Sequence, residues 1–196
     1  VRNTTVGDTV DDSRSVAVVA GITVRGMEMQ TSPQGRALVV IVDDGHTSGE
    51  PPESIGPLVR ELLTENGFHV DAIVAVQPDE VQIRNALNTA VIGGIDLVIS
   101  IGGTGSTARD VTPEATAGVL DREIPGIAEA LRASGRADGV QDAALSRGRA
   151  GVSGSTVVVN FASSRAAVRD SMATIGPLVT HVLAEQSDFD SEVAYR

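Results

Sequence analysis

Two aspartates and a glycine cluster are the residues of this chain whose types and spacing suit phosphate chemistry. The stretch Ser100 to Ala115 reads SIGGTGSTARDVTPEA. Gly102, Gly103 and Gly105 permit backbone turns that side chains would block, and they predict exposed N–H groups in a concavity suited to anionic oxygens. Thr112 reads as a helix cap with Pro113 at the first helical position, which adds partial positive charge. Asp110 lies between these two anion-attracting features. A carboxylate there suits a Mg²⁺ ligand beside a phosphate chain better than an anion contact. The same residues also read as a plain strand-to-helix turn, with Asp110 a turn acid. Asp79 offers the same pair of readings. Pro78-Asp79-Glu80-Val81-Gln82 has the spacing of a capping box, with Asp79 at the N-cap. Its loop is also expected at the same sheet edge as Asp110, where a second carboxylate would strengthen a cation site.

Composition narrows the partners. The chain has 196 residues, 41% hydrophobic but only 2% aromatic, so its core must be aliphatic. The net charge is -11, which repels polyanions, and the shortage of aromatics leaves no stacking platform for single-stranded nucleic acid. A nucleic-acid partner is therefore not expected. All 15 basic residues are Arg, so a phosphate clamp must use Arg, backbone N–H groups or a metal. The absence of Cys excludes disulfides, thiolate zinc sites and Cys nucleophiles. The longest apolar stretch near the start, Val16 to Val24, is too short to span a bilayer, and Asp8, Asp11 and Asp12 before it have the wrong charge for a signal peptide. No membrane partner and a cytoplasmic location are the expectation.

The elements that position the candidates follow from periodicity. Residues 1–35 are polar and Gly-rich with one short apolar run, and read as a partly disordered N-terminal arm that docks on the body or on a partner. Residues 36–187 read as one domain, and 188–196 as a C-terminal tail. Ala37–Val42, Phe68–Val76, Ile95–Ile101 and Ser155–Phe161 are apolar strand runs. Helical spacing predicts a helix capped by Ser54 and stopped at Gly67, and another from Val81 to about Gly93. Shorter helical pieces are predicted over Pro113–Leu120 and Pro125–Ala133. A long helix from about Ser164 is predicted to kink or split at Gly176-Pro177. Apolar strands alternating with helices predict an α/β three-layer sandwich, its mostly parallel central sheet covered by helices on both faces. Ligands in such sheets bind beyond the carboxyl ends of the strands.

The segment SIGGTGSTARDVTPEATAGVLDREIPG, followed by Glu129 and Arg132, resembles the MogA/MoaB family of molybdenum-cofactor biosynthesis proteins. The resemblance extends to Leu145-Ser146-Arg147-Gly148-Arg149-Ala150-Gly151, to the first strand with Asp44 and Gly49, and to Gly56-Pro57-Leu58. It covers most of Arg36 to Glu185. It implies a homo-oligomer, trimer or hexamer, that binds molybdopterin. In the active branch it implies Mg²⁺- and ATP-dependent adenylylation of molybdopterin by attack of its terminal phosphate on the α-phosphate of ATP. The catalytic, metal-holding aspartates match Asp79 and Asp110. Substrate and nucleotide contacts are implied at Asp44, Gly102, Gly103, Thr104, Gly105, Ser106, Thr112, Glu114, Ser146, Arg147 and Ser163. Arg147 reads equally as a surface ion pair.

This chain departs from the family pattern at three places. Asp43-Asp44-Gly45 stands for Ser-Asp-Arg, Ala162-Ser163-Ser164 for a Pro-Gly-Ser loop, and Gly126-Ile127-Ala128-Glu129 for Gly-Phe-Gly-Glu. These changes frame the alternative: a diverged, non-catalytic MoaB-type paralogue that binds another protein through its acidic surface and N-terminal arm.

Overall fold

The computed structural model describes residues 34–43, 52–137, 139 and 141–194, together with the short strand pairs at 18–19 and 22–23. The chain divides into two units, Val1–Thr31 and Ser32–Arg196. In the first, β1 (Val18–Val19) pairs antiparallel with β2 (Ile22–Thr23).

The second unit is built on a six-stranded sheet. Its strands are β3 (Gly35–Val42), β4 (Phe68–Val76), β5 (Leu97–Ile101), β6 (Arg122–Glu123), β7 (Ala150–Ser153) and β8 (Thr156–Phe161), in the order β4-β3-β5-β8-β7-β6. The pairs β4-β3, β3-β5 and β5-β8 are parallel, and β8-β7 and β7-β6 are antiparallel. The sequence pattern anticipates the four longer strands. It misses β6 and β7, because a two-residue strand and a Gly-containing four-residue strand carry too few apolar residues for a period-2 signal.

Alternate residues of the strands feed two separate cores. Ala37, Val39 and Ile41 face one side, where α1 (Pro52–Glu65), α4 (Pro125–Ala137) and α5 (Arg165–Ala194) contribute Leu58, Ile127 and Met172. Val40, Val42, Val98 and Val158 face the other, against Ile83 and Leu87 of α2 (Glu80–Ile92) and Ala115 of α3 (Thr112–Ala117). Every residue of β5 and β8 is buried. Each such Val, Leu or Ile contributes about 1.5–3 kcal/mol through water exclusion, so the sheet centre anchors the fold. This is the expected three-layer α/β sandwich.

Three helix expectations need correction. α1 begins at Pro52, so Ser54 lies inside the helix and not at its cap. α3 starts at Thr112 with Val111 in the N-cap position, and no side chain caps it. α5 is continuous through Pro177, so of the predicted kink or split the split is absent. The proline has no N–H to donate toward Ala173, yet packing holds both halves, with Ile175 and Val179 each 1% exposed. A Cβ on Gly176 would lie 2.5 Å from Asn66 Oδ1, just past α1, so a larger residue there needs that side-chain amide to move.

A buried polar chain crosses the second core. Asn160, 3% exposed in β8, donates from Nδ2 to Ser100 Oγ (2.7 Å) and Thr116 Oγ1 (2.9 Å). Its Oδ1 accepts from the Arg149 amide at 2.9 Å. Thr116 donates to Thr112 O (2.8 Å), and Thr112 Oγ1 donates to Gly102 O (2.8 Å). Removing the Asn160 amide leaves the Arg149 N–H without its acceptor and two hydroxyls short of a partner. Asn160→Ala is expected to lower stability by about 2–4 kcal/mol in urea unfolding. A loss below about 0.5 kcal/mol would show that the network has no such role.

Candidate functional site

The carboxyl ends of the parallel strands bring the sequence-predicted residues to one edge of the sheet. β4 leads to Asp79, β5 to Gly102–Asp110, and β8 to Ser163. Asp43 N donates to Val76 O at 3.0 Å, so the chain leaving β3 is tied to the end of β4. Asp44 and Gly49 lie outside the described residues.

Asp79 is the N-cap of α2, and its Oδ1 accepts from Gln82 N at 2.9 Å. The predicted capping role is therefore real. No hydrogen bond reaches Oδ2 from any described residue. Asp110 is held more firmly. Its Oδ2 accepts from Thr107 N (2.8 Å) and Thr107 Oγ1 (2.6 Å). Partial burial opposes its charge, but the Thr107 hydroxyl, the Thr107 and Gly105 amides and the Arg147 charge outweigh that and hold its carboxyl below the usual range. Asp110 Oδ1 takes neither of the Thr107 contacts.

The glycines are demanded by the turn itself. Gly102 (φ 103°) and Gly103 (φ 64°) occupy the left-handed region, and a Cβ on either would lie 2.6 Å from Val42 O or 2.4 Å from Thr112 Oγ1. The expectation of exposed amides is only partly met. Gly102 N donates to Phe161 O (3.0 Å), and the Gly105 amide serves Asp110. Thr104 is 5% exposed and Thr112 fully buried. Thr112 is not the helix cap: its hydroxyl points to Gly102 O and fixes the glycine turn from beneath. Ser106 is exposed on the loop surface.

Arg147 closes this loop from the other side. Its backbone N donates to Thr104 O (2.8 Å) and its Nε to Gly105 O (2.7 Å). Nη1 pairs with Glu114 Oε1, and Nη2 donates to Asp110 O and to Glu114 Oε2 (3.4 Å). The guanidinium thus engages carbonyls and an acid of its own chain. This is the ion-pair reading, extended into a clamp on the loop that carries Asp110. The Arg147 hydrogen bond, against slight burial, holds Glu114 below the usual carboxylate range. The sequence could not reveal the clamp, because its acceptors are backbone carbonyls, which carry no residue signature.

A cleft of about 520 Å³ opens beside the end of β8, between α4 and α5. Small residues make up most of its lining, five Ala, two Gly and four Ser including Ser146, Ser163 and Ser164, with Leu131, Asn160 and Phe161 beside them. Ser164 also begins α5, its Oγ accepting from Ala167 N at 3.1 Å. Arg132 lines the same cleft and donates to Ser146 O (3.4 Å) and Gly148 O (3.2 Å). Asp170 lines it as well. Asp170 was missed because α4 and α5 are distant in sequence and meet only when folded. Among the described residues no group of three His, Cys, Asp or Glu gathers that could hold a metal alone. None of the helices described is long and apolar enough to cross a membrane.

The fold and this edge define an α/β domain with a glycine turn, two separate carboxylates and a cleft walled by small residues. Comparison with known proteins makes the class specific. Residues 38–181 match the family model described as "Probable molybdopterin binding domain". The chain is 34% identical over 148 residues to a molybdenum cofactor biosynthesis bifunctional protein of Synechococcus elongatus, covering 76% of this chain and 46% of that protein. It thus spans less than half the length of that larger relative. It is 32% identical over 149 residues to a molybdopterin adenylyltransferase of Pyrococcus furiosus, covering 74% of this chain and 87% of the relative. A crystal structure of a molybdopterin biosynthesis protein from Mycobacterium abscessus superposes with a TM-score of 0.76 at 59% identity, covering 81% of this chain and 99% of the other. The chain belongs to the MogA/MoaB family of molybdenum-cofactor biosynthesis proteins.

The loop geometry carries a pH sign. A carboxyl whose pKa is depressed by folding stabilises its surroundings fully above the ordinary carboxylate range, and that support fades as pH falls through the lowered value. Hydrogen-exchange protection of the Thr107 and Gly105 amides is expected to hold at neutral pH and to fade only in acid, below the usual Asp range. In Arg147→Ala the Glu114 carboxyl should titrate higher by NMR, and these amides should exchange about tenfold faster. An unchanged Glu114 titration would contradict the clamp.

Proposed function

We propose that this protein adenylylates molybdopterin, using ATP and Mg²⁺. The observation that carries the reading is the pair of carboxylates at one sheet edge. Asp79 Oδ2 has no hydrogen-bond partner among the described residues, and Asp110 Oδ1 takes neither of the Thr107 contacts that hold its Oδ2. The names of the relatives supply the substrate.

The donors fit Mg²⁺. They are hard carboxylate oxygens, and Mg²⁺ ordinarily takes one or two carboxylates and completes its shell with water and substrate phosphates. The lack of a three-residue metal cluster among the described residues accords with that. Asp79 and Asp110 would hold the ion. When bound, it would supply charge neutralisation across the nucleotide phosphates.

The protein's own contribution is positioning. A phosphate oxygen of molybdopterin forms the new bond to the α-phosphorus of ATP. The bond from that phosphorus to the bridging oxygen breaks, and pyrophosphate leaves with the electron pair. No side-chain nucleophile is needed. The rigid turn at Gly102–Gly105 offers its remaining amides to anionic oxygens. Thr112 and Arg147 keep that turn and Asp110 fixed. Ser146 and Ser163 offer hydroxyls to molybdopterin in the cleft. The same reading includes a homo-oligomer, trimer or hexamer, acting in the cytoplasm.

Asp→Asn substitutions separate capping from catalysis. Asn is as good an N-cap as Asp, so Asp79→Asn should keep α2 intact while removing the charge. Asn at position 110 can still accept from Thr107. Both variants are expected to keep wild-type melting temperatures within a few degrees and to lose at least about a hundredfold in pyrophosphate release with molybdopterin and MgATP. Wild-type turnover in Asp110→Asn, or no turnover by the native protein where an authentic adenylyltransferase works, would reject the reading.

A further inference from the structure

We infer that Asp170 reads the 2-amino, N3–H edge of the pterin ring, and so makes the cleft selective for a 2-aminopterin. The inference rests on the proposal that molybdopterin occupies this cleft.

Among the described residues, Asp170 is the only carboxylate lining the cleft. It projects from α5 and is partly buried. Its Oδ1 accepts from Ser134 Oγ of α4 at 2.5 Å, which fixes the rotation of the carboxylate. Its Oδ2 has no hydrogen bond from any described residue. A Cβ placed on Gly135, itself a wall of the cleft, would lie 3.9 Å from that oxygen. Arg132 lines the same cleft yet forms no ion pair with Asp170. Its donors face the carbonyls of Ser146 and Gly148. A positioned acid with an oxygen open to the cleft calls for a ligand edge that brings N–H donors.

The remaining walls set the shape. The five Ala of the lining present methyl groups beside the apolar side chains of Leu131 and Phe161, which suits a flat bicyclic ring. A pterin presents two adjacent N–H donors, the 2-amino group and N3–H, on one edge. A carboxylate accepts from such a pair in two parallel hydrogen bonds, one to the open Oδ2 and one to Oδ1 beside its Ser134 contact, since each carboxylate oxygen has two lone-pair sites. Replacing the amino group by a carbonyl, as in lumazine, turns one donor into an acceptor facing an anion. A site built around a hydrogen bond discriminates strongly against an analogue that cannot make it.

The test uses the full chain and two fluorescent probes, pterin and lumazine, with fluorescence titration as the readout. Wild-type protein is expected to bind pterin at least about tenfold more tightly than lumazine. Asp170→Asn keeps an oxygen for Ser134 and places an amide where the open oxygen was, and it should bring the two affinities within about twofold. Full discrimination retained by Asp170→Asn would overturn this inference and leave the molybdopterin reading standing. Equal binding of both probes by wild type would do the same, and needs no variant to fold. Wild type that binds neither probe would overturn this inference together with the occupancy it rests on.

Discussion

The glycine turn and the segment beside it depend on one side chain of the sheet core, which also lines the cleft. The Asn160 amide is buried where β8 passes β5 and α3, and it uses both of its ends. One end holds the hydroxyls of Ser100 and Thr116, the other the amide of Arg149. In an aliphatic core, a polar group is stable only when its partners are in place. The glycine turn above and the Ser146–Arg149 segment beside it are therefore not independent loops. They are two ends of the same buried polar chain, continued through Thr116 and Thr112 to the carbonyl of Gly102.

Given that foundation, Arg147 meets a turn already fixed from below. Its planar guanidinium matches acceptors that lie around it: the Gly105 and Asp110 carbonyls and the Glu114 carboxylate. A lysine, with one compact charge, has no equivalent fork. The arrangement holds the Asp110 carboxylate in place through Oδ2. Asp79 reaches the same condition by another route, as a helix cap. Two unrelated local devices thus give the two acids similar constraint.

Much of this was legible in the residues. Strands rich in Val and Ile, separated by helical spacing, specified the α/β layers because buried parallel strands have few alternatives. Asp79 and Gln82 announced a cap that the structure contains, since capping is a contact within four residues. The positive-φ turn was legible in Gly102 and Gly103 for the same reason. Thr112 was misread as a cap because local sequence cannot tell which of two nearby carbonyls or amides a hydroxyl will meet. The short strands β6 and β7 were hidden because their pairing is decided by neighbours far along the chain. Asp170 and Ser134 stand 36 residues apart, on two helices whose contact is purely tertiary.

The Arg147 clamp also has a polymer consequence. Its bond to Gly105 O joins positions 42 residues apart, so the arc between them is a closed loop pinned at its neck. The entropy of closing such a loop rises only with the logarithm of its length, about 0.6 kcal/mol per doubling. The turn at Gly139, where a Cβ would meet nothing within 4 Å, lies within that arc, eight residues before Arg147. Extra residues inserted there would lengthen the arc while leaving the neck, and the carboxylate it holds, undisturbed.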